Sequence, residues 1–146
     1  RHTDRPESAA RHHRREGESV RQQFTMLIPT ELTISNNRTA QVWKRKKVKD
    51  GVQALTREAA KDRYPVGKAN IYVGIHKRTN GAYDPVNLVD TFKGMVDELV
   101  NMGILDEDDY RHVTGPFVYH AGVDKRIPEK HIRATITLTD YSEVPF

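Results

Sequence analysis

The sequence predicts an α+β domain of the α/β class: a small mixed β-sheet with two main helices packed on it. Three observations carry this. Three stretches, at 24–29, 69–76 and 131–139, alternate apolar and polar residues with a period of two. Two longer stretches, at 39–61 and 84–102, repeat apolar residues every three to four positions. The two kinds interleave along the chain, which points to helices laid on a sheet. A length of 146 residues suits one domain with a tail.

Residues 1–23 are charged and histidine-rich and have no apolar period, so they read as a disordered tail. His12 and His13 read as solvated. Arg11, Arg14 and Arg15 would add non-specific attraction to phosphates. A start at Arg1 rather than methionine reads as a processed, trimmed or misstarted end. The domain is set at 24–141 and a short C-terminal tail at 142–146.

The first strand is FTMLIP, with Phe24, Met26 and Ile28 on one face. Ser35, Asn36, Asn37 and Arg38 follow as a polar turn that can bond its own backbone. The same side chains can also donate to phosphate or sugar oxygens. Both readings stand at this point.

In the helix at 39–61, Trp43, Val48, Val52, Leu55 and Ala59 form the inward stripe, and Gly51 weakens its middle. Lys44, Arg45, Lys46, Lys47 and Lys49 put five cations in six residues beside Trp43. Such a run is either a solubility feature or an electrostatic footprint for nucleic acid. The strand at 69–76 has Ile71, Val73 and Ile75 on one face, and Asn80-Gly81 then signals a turn. His76, at the strand end, reads as structural.

The stretch 84–110 reads as one amphipathic helix and its exit. Asp84 before Pro85 is an N-cap followed by proline at the first helical position. Leu88, Phe92, Met95, Leu99 and Met102 form its apolar stripe, and Gly103 closes it. At about 100° per residue, Asp90, Lys93 and Asp97 fall within an arc of roughly 60°, away from that stripe. Asp106, Glu107, Asp108 and Asp109 then gather at the unfavourable end of the helix dipole. They form either a surface acidic turn or ligands for a divalent cation, since Mg²⁺ takes carboxylate oxygens. An EF-hand is excluded. Arg111 stands where its loop glycine is needed, and Phe117 where its glutamate is needed.

Residues 112–120 read as extended, broken by Gly115-Pro116, and 121–130 as a charged loop. The last strand, 131–139, points Ile132, Ala134, Ile136 and Leu138 inward. His112, His120 and His131 have no metal-site spacing.

Composition removes several function classes. With no cysteine there is no disulfide framework, thiolate zinc site or cysteine nucleophile. That fits a reducing compartment. No apolar run approaches a membrane span and none reads as a signal peptide. No dinucleotide fingerprint, P-loop or serine-hydrolase elbow occurs, so no small-molecule cofactor is expected. The net charge of +4 permits a polyanionic partner without demanding one.

From Phe24 to about Tyr141 the chain resembles the RusA-like Holliday junction resolvases, in particular the short versions carried by phages and prophages of actinobacteria. Four features bear the likeness: a strand ending in proline followed by LTISNNR, the tryptophan-bearing helix, DPVN followed by Lys93 and then Val96-Asp97 and Leu99, and Gly103-Ile104-Leu105 running into DEDD, then Val113 and Gly115-Pro116. The lysine-to-glycine-to-acid spacing is the most specific of them.

The resemblance implies a RusA-like fold and a Mg²⁺-dependent endodeoxyribonuclease, with Mn²⁺ as a possible substitute, acting as a homodimer on branched, four-way DNA. It implies a cytoplasmic setting in a bacterial or phage-infected cell, with no membrane partner. It places catalysis at Asp84, Lys93, Asp108 and Asp109 and metal ligands at Asp84, Asp90, Asp108 and Asp109. DNA contacts would come from Asn36, Asn37, Arg38, Trp43, Lys44, Arg45, Lys46 and Lys47. The family pattern has two aspartates shortly before the lysine, followed by asparagine. Here Val86 stands at the second acid, and Asp90 is its substitute. A chain that kept the fold and lost the chemistry would be a non-catalytic DNA-binding protein.

Overall fold

The computed structural model describes residues 21–33 and 42–142, with Val42 and Trp43 described through the backbone alone. The order is β1 (Arg21–Pro29), a 3-10 turn (Thr30–Leu32), α1 (Val42–Ala59), β2 (Ala69–Lys77), a 3-10 helix (Pro85–Phe92), α2 (Lys93–Asn101), β3 (Val113–Val123) and β4 (His131–Thr139). This is the α+β fold expected, a small mixed sheet with helices packed on it. The strands lie in the order β1-β4-β2-β3; β4 is antiparallel to β1 and β2, and β3 is parallel to β2.

Strand β1 alternates strictly, with Phe24, Met26 and Ile28 buried and the residues between them exposed. It begins at Arg21, so the tail boundary set at 23 lies too late. The buried Gln22 ties the strand's start to Tyr64 by exchanging hydrogen bonds of 3.1 and 2.8 Å with its backbone. At the other terminus, Ser142 donates to the Asn70 side chain at 2.9 Å.

In α1, Val48 and Val52 are buried and Leu55 and Ala59 pack against the core. The side chain of Trp43 lies outside the described residues. Gly51 packs against the 3-10 turn: a Cβ there would stand 2.9 Å from Leu32 Cδ1, which would have to shift. The glycine expected to weaken the helix thus faces the Leu32 side chain of the 3-10 turn.

The single helix expected from 84 onward is two pieces. Asp84 caps as predicted, accepting from Val86 N at 3.1 Å. Residues Pro85–Phe92 then wind as 3-10, and α-helix proper starts only at Lys93. Val86, Val89 and Thr91 are β-branched, which disfavours the α-helical turn. The apolar stripe survives the change: Phe92, Met95 and Leu99 are fully buried. Gly103 closes α2 with φ +81°, and Ile104 N donates back to Leu99 O at 2.9 Å.

Gly115-Pro116 does not break the third strand. The peptide is cis, and a register shift between Asn70 and Tyr72 absorbs it while β3 runs on. The charged loop accordingly begins at Asp124, not at 121.

Candidate functional site

Helices α1 and α2 and the 3-10 helix enclose a groove of about 250 Å³ on the helix side of the sheet. Its walls carry Arg45 and Lys49 from α1, Asp90 from the 3-10 helix, and Lys93 and Asp97 from α2. α1 and α2 lie close at Gly94, where a Cβ would stand 3.4 Å from both Cγ and the carbonyl oxygen of Lys49. The helices therefore approach closely enough for side chains to meet across them.

The groove is a lattice of exposed ion pairs. Lys93 Nζ lies 3.3 Å from Asp90, and Arg45 lies 3.9 Å from the same carboxylate. Lys49 Nζ lies 3.3 Å from Asp97. The 3-10 winding helps, because residues three apart eclipse and Asp90 thus stacks under Lys93. Three cations face two carboxylates, so one positive charge is uncompensated. Exposed pairs of this kind contribute only ~0.2–1 kcal/mol each. The predicted one-face arc of Asp90, Lys93 and Asp97 is thus present.

The predicted basic face of α1 divides. Lys46 is tied to Asp50 at 2.9 Å. Lys44 and Lys47 are exposed and make no ion pair among the described residues. Asn36, Asn37 and Arg38 lie outside the described residues.

The acidic run 106–109 is strapped to the start of β2. Val66 N and Gly67 N donate to Ile104 O at 2.8 and 3.0 Å, and Asp106 N donates to Gly67 O at 3.0 Å. Asp106, Glu107 and Asp108 are exposed. Asp109 is spoken for. It accepts from His112 Nδ1 at 2.7 Å and from Arg111 at 3.0 Å. An ionised carboxylate has no proton to give, so His112 must be the donor. These bonds, His112's first, pull the Asp109 carboxyl down from 3.8 to about 2.

Asp84 sits at the opposite end of β2. Its neighbour Tyr83 shares a hydrogen bond of 2.7 Å with His120, and His120 pairs with Ile75 near the end of the strand. At ~2.0 Å per residue of 3-10 helix and ~1.5 Å per residue of α2, the path from Asp84 to the acidic run is roughly 30 Å. The expectation that Asp84 meets Asp108 or Asp109 around a shared cation is therefore not met within one chain. The two lie at opposite ends of a helical path that the sheet holds extended. Asp90 meets lysine and arginine instead of a third carboxylate. Among the described residues, no group of three or more histidine, aspartate or glutamate side chains is placed to hold a metal ion.

Two clusters escaped the sequence reading. Glu98 is buried on the side of α2 that turns to α1 and pairs there with Arg57. The outward Asp97 gave no hint of its neighbour's partner. Asp124 binds Arg126 at 3.0 Å and Arg133 at 2.8 Å, which holds its carboxyl well below the usual range. Arg133 comes from another strand, so no local spacing could reveal that pair.

No protein-family model matches the chain, and no curated protein matches it. Among the described residues, no helix is long and apolar enough to cross a membrane.

Proposed function

We propose that this chain binds branched DNA along the groove between α1 and α2 and cuts it, as a structure-selective endodeoxyribonuclease of the RusA-like type. The observation that supports this best is the position of Lys93. The lysine of the resemblance stands exposed beside Asp90, in a groove whose other cations, Arg45 and Lys49, come from the basic helix. Cations from both helices would hold one backbone phosphate from two sides. In hydrolysis, water adds at phosphorus, the P–O bond to the leaving strand breaks, and negative charge grows on the phosphoryl oxygens. Ammonium and guanidinium groups already in place stabilise that charge without reorganising. Asp90 holds Lys93 at the groove until the phosphate arrives.

The resemblance also implies Mg²⁺ or Mn²⁺, which would supply a bound water of lowered pKa. The described carboxylates of one chain do not gather a ligand set for it. Asp108, exposed, is the family acid best able to act. Asp84 is occupied as a helix cap.

The separation of Asp84 from the acidic run, together with Val86 at the second acid position, favours a second reading. In it the chain binds junctions without cutting them. A four-way junction and a linear duplex of equal length, each with and without Mg²⁺, separate the two. Junction-selective cleavage in Mg²⁺ supports the nuclease. Salt-sensitive junction binding with no cleavage supports the second reading. No preference for the junction in either assay removes both.

A further inference from the structure

The 3-10 helix at Pro85–Phe92 runs for 8 residues. Runs of this winding beyond about 3–4 residues are uncommon, because their hydrogen bonds are poorly aligned. The sequence here is written for a different winding. Leu88, Phe92, Met95, Leu99 and Met102 follow at steps of four and three, so one continuous α-helix would carry all five on a single stripe. Four residues before Phe92, Leu88 lies about 40° from it in α winding and about 120° from it in 3-10 winding. Phe92, Met95 and Leu99 are fully buried, whereas Leu88 is only half-buried. The stripe favours α; the β-branched Val86, Val89 and Thr91 oppose it. A segment pulled both ways sits near balance.

The chain also has room to rewind. Phe92 fixes one end of the segment in the core. At the other end, Thr79, Asn80, Gly81 and Ala82 are exposed, and a Cβ at Gly81 would meet nothing within 4 Å. Going from ~2.0 to ~1.5 Å of rise per residue would shorten the segment by roughly 4 Å, which this link can supply.

The winding is tied to the groove. Asp90 and Thr91 line it from this segment, beside Lys93 and Gly94 of α2. Asp90 stands 3.3 Å from Lys93, three residues on, in the eclipsed stack that 3-10 winding gives. With Lys93 held in α2, α winding would turn Asp90 by about 60° round the helix axis, out of that stack. Where it now stands, the Asp90 carboxylate repels an anion that approaches Lys93 and Arg45. An anion therefore binds the α-wound form more tightly, and such a difference in affinity is what shifts an equilibrium.

We propose that residues 85–92 are a two-state element, 3-10 in the free protein and α when the groove holds a phosphate anion. Rewinding frees Lys93 for the anion and draws Asp84 roughly 4 Å along the helix axis toward the groove. The proposal rests on the groove's reading as an anion site and not on cleavage.

NMR of the full chain tests this, with inorganic phosphate as the probe and ionic strength held constant with chloride. In 3-10 winding each Hα lies near the amide hydrogen two residues on, and in α winding near the one four residues on. On adding phosphate, the Val86–Leu88 and Leu88–Asp90 contacts should fade, and Val86–Asp90 and Leu88–Phe92 contacts should appear. Val86→Ala with Val89→Ala removes two β-branched residues, neither of them buried. This variant should show the α contacts without phosphate and bind phosphate about fivefold more tightly, because less of it has to rewind first. A free wild-type chain already α-wound at 85–92 overturns the proposal. So does an α-wound variant with no gain in affinity. Phosphate that shifts the Arg45 and Lys93 signals while the winding stays 3-10 overturns the switch and leaves the groove an anion site. Phosphate that moves neither signal removes both.

Discussion

The two faces of the sheet differ in what they do with charge. On the helix side, cations and carboxylates crowd one groove, loosely paired at 3.3 to 3.9 Å. On the open side, away from the helices, two central rows carry no charge at all: Gln23, Thr137, Tyr72 and Phe117, then Thr25, Thr135, Gly74 and Tyr119. A scatter of surface charge for solubility would treat both faces alike. The difference teaches that charge in this molecule is gathered on one face of the sheet and kept off the centre of the other.

The sharpest way to break the helix-side reading is to neutralise one acid at each end of the helical path. Asp108→Asn should lower junction cleavage by ~10²-fold or more, the scale of losing a positioned general base, and leave junction binding intact. Asp84→Asn should change cleavage no more than a few-fold, because asparagine also caps a helix. Both are read by single-turnover cleavage and gel shift. Full activity in Asp108→Asn removes that residue from the mechanism. A dead but folded Asp84→Asn variant would return Asp84 to it.

Binding gives the next effect in size. Arg45→Gln with Lys49→Gln should weaken junction binding about tenfold near physiological salt and reduce the log–log salt slope by roughly 2, one for each phosphate left without its cation. Tyr119→Lys adds a cation to the open face and should leave that slope unchanged. Equal responses from the two faces would erase the contrast. The melting temperature gives a smaller effect. Asp84→Ala should cost about 1 kcal/mol through removal of the cap, and Asp84→Asn only a fraction of that.

Much of the fold could be read from the chain because its signals are local. The alternation from Phe24 to Ile28, the stripe from Phe92 to Leu99 and the closing Gly103 each act within a few residues. The groove was half legible. Helical periodicity placed Asp90, Lys93 and Asp97 together, but nothing in the sequence said that Lys49 and Arg45 would face them. That meeting depends on how α1 packs against α2 and the 3-10 helix, which no local spacing records. The supposed acidic centre was misread for a similar reason. Order along the chain put carboxylates at both ends of one helix, and only the sheet shows those ends lying at opposite ends of β2. The charge-free rows were invisible because they join residues from four strands.

The smallest effect concerns the acid that the helix side has already neutralised. Asp109 has a folded pKa of about 2 against an ordinary 3.8, held down first by His112 and then by Arg111. The folded state thus favours its ionised form. The stabilisation is fully present above pH ~4 and is lost as pH falls through about 2. His112→Ala should raise the Asp109 carboxyl toward 3.8, which carboxylate NMR titration follows directly. It should also flatten the fall in melting temperature between about pH 4 and 2. Asp109→Asn should flatten the same limb, and combining the two substitutions should add nothing further. An Asp109 that still titrates near 2 without His112 would assign the shift to Arg111. His112 would then lose its part in holding the acidic run against the start of β3.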